Sequence, residues 1–538
     1  MFDYLIVGGG SAGCVLAARL SENPDITVAL LEAGPLDTNV LIRCPAALAV
    51  MAQTGQASWQ ADCVPQPGLN GRQSHSPSGK VLGGSSAINA MVYIRGQRQD
   101  YDHWAAQGNA GWSYDELLPY FQRAEHNGRG GDAFHGSAGP LHVIDPRSPN
   151  RYSSAFVQAA EQAGHAHNPD FNAAVQEGVG LYQLTQKEGE RCSASQAYLT
   201  PSLTRPNLLL FTGAHTTRVL LAHKRAIGVE FQHEGQVKQL RAGREVLLCL
   251  GALHSPQILM LSGIGAHAHL LEMGIATRHE LPGVGQNLHD HVNLSLVVDA
   301  PRAQDLFGFS LTGIGHLIKG IVDWRGHHSG ILCSNFAEAG AFIKSQPLED
   351  TPDLQLSFVI RKLINQGRSI AFGHGFSCQL SLLRPRSRGS LKLASKDPLD
   401  SPLIDLDFLG ERDDMERLLR GVKLARRILA QPALATLQGR EQTASAHAQS
   451  DIEIERFIRD HADSGCHPAG SCRMGQGLLD VVDAQLRVRG LQGLRVVDAS
   501  IMPSVVSGNT NAPVIMIAEK AADMIKADSL NNFDKIRP

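Results

Sequence analysis

Gly8-Gly9-Gly10-Ser11-Ala12-Gly13 lies between an apolar run at residues 3–7 (DYLIV) and a helix-like segment, CVLAARLSE. A second apolar run at 27–31 ends on Glu32, nineteen residues beyond Gly13. Strand, GxGxxG, helix, strand and acid in this order make a site for the pyrophosphate of a dinucleotide. Gly8 permits the tight turn, Gly10 lets the pyrophosphate reach the backbone, and Gly13 lets the helix sit close to the strand. Ser11 and Ala12 open the helix, whose N-terminus supplies N–H donors and a positive dipole end. Glu32 can accept hydrogen bonds from ribose hydroxyls, with Ala33 beside it. A glycine turn with no ligand explains the glycines alone, but not both strands, the helix and the spaced acid. None of these residues separates FAD from NAD.

The elements that must hold this site are spread along the chain. Residues 66–96 are rich in glycine and serine, and 114–123 read as a helix. Apolar runs NLLLF, AIGVEF and EVLLCLGA between 205 and 251 read as strands, followed by a helix-like SPQILMLSGIG ended by glycine. Residues 330–410 alternate extended apolar runs with turns, as in an antiparallel sheet. Residues 413–430 carry strong helical periodicity. The strand-like LRVVDAS leads through a loop into a final helix, APVIMIAEKAADMIKA. The expected fold class is α/β, α+β overall. A discontinuous Rossmann-like domain (1–150, 190–300, 460–538) carries an inserted domain of antiparallel sheet plus helices (151–189, 301–459).

Bulk composition excludes several classes of partner. Across 538 residues, 49 Lys+Arg oppose 52 Asp+Glu, which makes no electrostatic case for nucleic acid. Nine cysteines are scattered without CxxC or metal-type spacing, so no metal site is expected and a reducing compartment suits the chain. There is no apolar stretch of roughly 18 residues and no basic leader with a cleavage site. The expected setting is cytoplasmic. Weak peripheral attachment to the inner membrane would leave no mark at this level.

Five ordered blocks carry a resemblance. They are GGGSAGCVLAARLSE with LLEAGP (8–22, 30–35), GKVLGGSSAINAMVYIRG (79–96), GALHSPQILMLSGIG (251–265), HPAGSCRMG (467–475) and VVDASIMPSVVSGNTNAPVIMIAEKAAD (496–523). Over essentially its full length the sequence resembles the glucose–methanol–choline (GMC) oxidoreductases, most of all bacterial choline dehydrogenase-type and aliphatic alcohol dehydrogenase members. The resemblance implies FAD, with Val81, Gly83, Gly84, Ser85, Asn89, Ala90, Met91 and Val92 running beside it. Thr216, Gly251, Asp498 and Ala499 would also contact the cofactor, and Asn509 and Thr510 would reach it mainly through backbone. Some relatives bond the flavin covalently through a histidine in the second block; Ile88 stands at the aligned position here, so FAD is expected to be non-covalent.

The resemblance also implies the chemistry. His467 would take the hydroxyl proton of an alcohol, Asn511, 44 residues later, would anchor that hydroxyl, and hydride would pass to flavin N5. A neutral imidazole suits the first task and an amide N–H the second. Of 23 histidines, only motif context singles out His467. Where relatives carry a bulky residue before this histidine, Gly465 and Cys466 stand here, and a larger cavity for a bulkier alcohol is one expectation, a loop filling the space the other. A thiolate role for Cys466 is disfavoured because the chemistry needs none. The expected activity is oxidation of a primary alcohol, with electrons passed to a quinone or another carrier. An O2-using oxidase, a non-redox hydroxynitrile lyase and a non-catalytic flavoprotein are the rivals.

Overall fold

The computed structural model describes residues 1–534, the side chains at 309, 366 and 530–534 apart. Five parallel strands form its centre. Leu208–Thr212, Val28–Glu32, Phe2–Val7, the second half of Gln236–Leu248, and Leu494–Val496 lie side by side in that order. Tyr4–Val7 and Val28–Glu32 are wholly buried, which is why these strands read as unbroken apolar runs and not as alternating ones. The first half of Gln236–Leu248 turns outward into an antiparallel meander with Arg225–His233 and His215–Ala222. Helix Ser11–Leu20 covers one face, and the last helix, Asn511–Asp534, packs against it. The Arg19 guanidinium donates to the fully buried Glu519 carboxylate at 2.8–3.1 Å, and Tyr198 Oη donates to it at 2.8 Å. Arg123 Nε lies 2.9 Å from the same carboxylate, so Glu519 is the shared buried charge of a network that ties the two helices together.

A second, antiparallel sheet runs Arg440–Glu441, Val292–Asp299, Gly373–Leu382, Leu354–Val359, Ala339–Ile343, Gly178–Leu181. Helices Arg151–Gln162 and Arg412–Leu429 cover one face, with Phe156 stacked on Phe358 at 5.1 Å. Strand alternation sends Phe358 to the helices and Gln355 to the opposite face, toward the first sheet's ligand end. Val292–Asp299, expected in the nucleotide domain, pairs along its whole length within this second sheet, and Asp463–Ser464 joins it. The crossover therefore precedes residue 292 and not 300: the run VNLSLVV is apolar enough to serve either sheet, and pairing decided.

One helix faces the wrong way for a globular surface. Leu311–His327 buries Gly320 and Trp324, while Leu311 (92% exposed), Ile314, Ile318 (60%), Ile321 and Val322 (64%) line its outer side. Strand pairing of Gly308 with His374 sets the helix start beside Phe372, itself 78% exposed. No helix among the described residues is long and apolar enough to cross a membrane.

Candidate active site

Ligands of parallel α/β sheets bind beyond the carboxyl ends of the strands. Here the strands ending at Val7, Glu32, Leu248 and Val496 deliver Gly8–Gly13, Ala33, Gly251 and Asp498 to one edge. Gly8 has φ +99°, and a Cβ on Gly13 would stand 1.9 Å from Gly8 O, so both glycines are obligatory for the turn. Gly10 is different. A Cβ there would reach only Cys249 O and Gly84 Cα, both at 3.9 Å, an ordinary contact, so nothing in the protein itself demands a glycine at this position. Gly84 (φ +55°) closes the opposite wall, where a Cβ would lie 2.7 Å from Gly10 Cα. Ser11 Oγ donates to Asn511 Oδ1 at 2.7 Å, so the first residues of two long helices meet here. Two positive dipole ends converge on one spot, as a pyrophosphate requires.

Glu32 is buried and accepts from Gly9 N (2.8 Å) and Gly34 N (2.7 Å). Burial raises its carboxyl to about 7, against the pull of those two N–H groups. Thr216 follows Ala214, whose N–H donates to Glu32 O at 2.8 Å. Its buried Oγ1 has no hydrogen-bond partner within the protein. An orphaned hydroxyl beside the acid is what an adenosine would satisfy. The expected FAD contacts otherwise divide in two. Ser85, Asn89, Ala90, Val92, Thr510 and Ala499 keep accessible surface in otherwise buried segments. Val81 and Met91 point inward, Val81 into a cluster with Ile42, Met51 and Ala87 and Met91 toward Gln186, so only their backbone can serve. Asn89 Oδ1 is engaged by Met91 N (3.0 Å) and Arg191 Nη1 (2.8 Å), which shapes the turn. Asp498 accepts from Gly251 N (2.9 Å), Ser255 Oγ (2.5 Å) and Ser500 N (2.8 Å); its carboxylate caps the helix Gly251–Leu261.

Across the cavity, residues 289–293 and 463–469 run antiparallel, and the segment Gly465–Pro468 bulges out between their pairings. Asp290 pins it: Oδ1 accepts from His467 N at 2.8 Å, and Oδ2 accepts from Ser464 Oγ. Gly465 has its own reason. A Cβ there would stand 2.8 Å from His291 Cβ and 2.9 Å from His291 O, so the glycine permits backbone contact and does not enlarge the pocket. Cys466, at φ +60°, keeps exposed surface although it lies deep within the fold. Desolvation by the surrounding protein, then the nearby Asp290 and Asp463, pushes its thiol up to about 12, which argues against a thiolate nucleophile.

His467 Nδ1 lies 3.0 Å from His291 Nδ1, and Nε2 lies 3.2 Å from Asn509 Nδ2. Burial, and secondarily His291, lowers the His467 pKa to about 3, so the ring is neutral. The structure thus places Asn509, not Asn511, against the imidazole; Asn511, the expected hydroxyl anchor, faces Ser11 instead. The helix starts at Asn511, so its side chain follows the helix end, while Asn509 sits on the extended approach and projects into the cavity. Borrowed spacing missed this. His289-Asp290-His291 was also missed in the sequence, although three titratable residues in a row at a strand entrance were the available signal. His289 Nε2 accepts from Val505 N (2.8 Å), so the triplet grips both loops of the site.

The GMC oxidoreductase pattern matches residues 2–293 and, in its C-terminal part, 385–518. The chain belongs to the GMC oxidoreductase family. An alcohol dehydrogenase [acceptor] of Pseudomonas putida is 46% identical over 529 residues, spanning 98% of this chain and 96% of that one. An oxygen-dependent choline dehydrogenase of Chromohalobacter salexigens is 42% identical over 98% of this chain and 95% of its own length. Among solved structures, pyridoxine 4-oxidase from Mesorbium loti superposes with a TM-score of 0.89 at 32% identity, covering 98% and 99% of the two chains. GMC oxidoreductases bind FAD, and a Gly10 that the protein itself does not demand, the paired helix ends and the orphaned Thr216 hydroxyl fit that cofactor.

The asparagine exchange is testable. Asn509→Ala is expected to slow flavin reduction about 10²-fold, the usual loss of one donor aimed at developing oxyanion charge. Asn511→Ala is expected to leave the rate per bound FAD within a few-fold and to weaken FAD retention. Stopped-flow reduction and the flavin-to-protein absorbance ratio read the two separately; the opposite pattern would restore Asn511 as the anchor.

Proposed function

We propose that this protein oxidises a primary alcohol to the aldehyde, with His467 as base, Asn509 as hydroxyl anchor and FAD held non-covalently. The observation that carries the reading is a half-buried imidazole whose Nε2 lies 3.2 Å from the Asn509 amide nitrogen; the lowered pKa of that ring agrees with it. FAD, when bound, supplies the acceptor for the hydride leaving the carbinol carbon. His467 Nε2 takes the hydroxyl proton. Asn509 Nδ2 carries two hydrogens, so it can donate to the alcohol oxygen and steady its growing charge. The backbone bonds to Asp290 hold the ring against recoil. Two domains divide the labour in this reading: the parallel sheet holds the cofactor, and the antiparallel sheet, with Gln355 on its inner face, roofs the alcohol. Residues Gly465–Pro468, carried by strand pairing to the second sheet, join the two.

For the acceptor we infer a quinone-type carrier at a bilayer surface. The Pseudomonas relative is an alcohol dehydrogenase [acceptor], and the outer stripe of Leu311–His327 supports a lipid face. Its aliphatics fall on one side of the helix, Phe372 extends the stripe, and the exposed Lys319 and Arg325 have no ion pair among the described residues, which suits anionic headgroups. The oxygen-using reading draws on the pyridoxine 4-oxidase likeness. A panel of alcohols tested for anaerobic flavin bleaching, then repeated in air, decides both points. Bleaching by a primary alcohol with little peroxide in air is expected. A chain that binds FAD and is bleached by none, or that releases aldehyde and cyanide from a cyanohydrin unbleached, would overturn the alcohol reading, and rapid peroxide formation would overturn the carrier.

A further inference from the structure

Six groups around the base form one hydrogen-bond chain in which every donor finds an acceptor. His291 Nε2 lies 3.1 Å from Val506 O. A carbonyl only accepts, so Nε2 carries the proton, and in a neutral ring Nδ1 then holds a lone pair. His291 is 1% exposed and burial lowers its pKa to about 4, while His467 keeps some surface open to the cavity. At 3.0 Å the His291 Nδ1 lone pair requires a proton on His467 Nδ1. His467 Nε2 is consequently bare and points at Asn509 Nδ2. The far end sets the amide: Asn509 Oδ1 lies 3.5 Å from Gln355 Nε2, which also donates to Tyr182 Oη (3.1 Å), while Tyr182 Oη donates to Leu356 O (2.9 Å). Reversing any ring or amide along the chain would set two acceptors or two donors against each other.

We propose that His291 is a positioning residue for the reaction: anchored on Val506 O, it selects the tautomer of His467 that presents a bare Nε2 to the alcohol. This goes beyond the assignment of His467 as base and rests on it. A buried carboxylate could fix the same tautomer. A neutral imidazole does so without setting a further carboxylate against the ring itself. His291 never touches the alcohol. Its effect passes through His467, whose Nδ1–H must keep an acceptor as Nε2 gains the hydroxyl proton.

Two substitutions separate this role from packing. His291→Leu removes the acceptor and keeps much of the volume; His291→Asn places Oδ1 near the position of Nδ1 and can accept the same proton. In FAD-loaded enzyme, His291→Leu is expected to slow anaerobic flavin reduction on the order of 10²-fold, with KM within about threefold. His291→Asn is expected to recover most of that loss. Nitrogen-15 histidine spectra, assigned with His467→Gln, should show wild-type His467 protonated at Nδ1 and bare at Nε2, and the Leu variant losing that preference. Equal rates in wild type and the Leu variant, or an Asn variant no faster than Leu, would overturn the proposal. Should the Leu variant fail to hold FAD, the wild-type spectrum decides: a proton on His467 Nε2 overturns it. A wild-type enzyme that no alcohol bleaches would instead refute the base assignment, leaving the measured tautomer to stand or fall by itself.

Discussion

His467→Ala, with FAD still bound, reduces its flavin at least about 10²-fold more slowly than the wild type, the range of a lost general base. The loss should appear in the limiting rate of anaerobic reduction and much less in the alcohol concentration needed to half-saturate it, because the proton is transferred in the transition state. The sign of the pH dependence follows from the lowered pKa. A base works deprotonated, so the rate falls as pH drops through its pKa. An ordinary imidazole would begin to lose rate near pH 6.5. Burial moves His467 down to about 3, so no loss from this group is expected between pH 8 and 5. Stopped-flow reduction across that range checks both points. A variant as fast as wild type, or a wild-type rate halved at pH 6.5 by a single protonation absent from the variant, would contradict the account.

Gly13→Ala and Gly10→Ala should fail in different ways, and the difference is large. At Gly13 a methyl group would sit 1.9 Å from the carbonyl oxygen of Gly8, with no flexible side chain to yield. The helix must shift from the strand, and a misfolded or FAD-free product is expected. At Gly10 the methyl group clears every protein atom, so the chain should fold with the melting temperature of the apoprotein. It would occupy the space the pyrophosphate needs, and FAD occupancy is expected to drop more than about tenfold, as close approach of backbone to phosphate is lost. Absorbance near 450 nm per chain, with thermal melts of apo samples, separates the cases. A fully yellow Gly10→Ala protein would remove the phosphate from this turn.

Much of this was legible because it is local. The glycine turn needs no partner to be recognised, and the runs at 3–7 and 27–31 announce buried parallel strands through their lack of alternation. The motif singled out His467 as the expected base. What escaped depends on contacts between distant segments. The exchange of Asn509 and Asn511 turns on where the last helix begins, a matter of one or two residues that no spacing rule resolves. At Gly465 a larger pocket and a loop filling the space stood as equal alternatives, and the glycine accommodates His291, 174 residues earlier. Val292–Asp299 could have joined either sheet, and only its pairing with Gly373–Leu382 and Asp463–Ser464 settled the boundary. His289-Asp290-His291 stands out in the sequence only as three titratable residues in a row, and its role lies in what approaches it.

The outward greasy ridge from Leu311 to Val322 has a consequence for how turnover is measured. Under the proposed lipid contact, the enzyme would meet apolar alcohols and acceptors in a thin film, where partitioning concentrates both. Half-saturation in plain buffer then reflects solubility as much as recognition, and the meaningful scale becomes moles of reactant per mole of lipid.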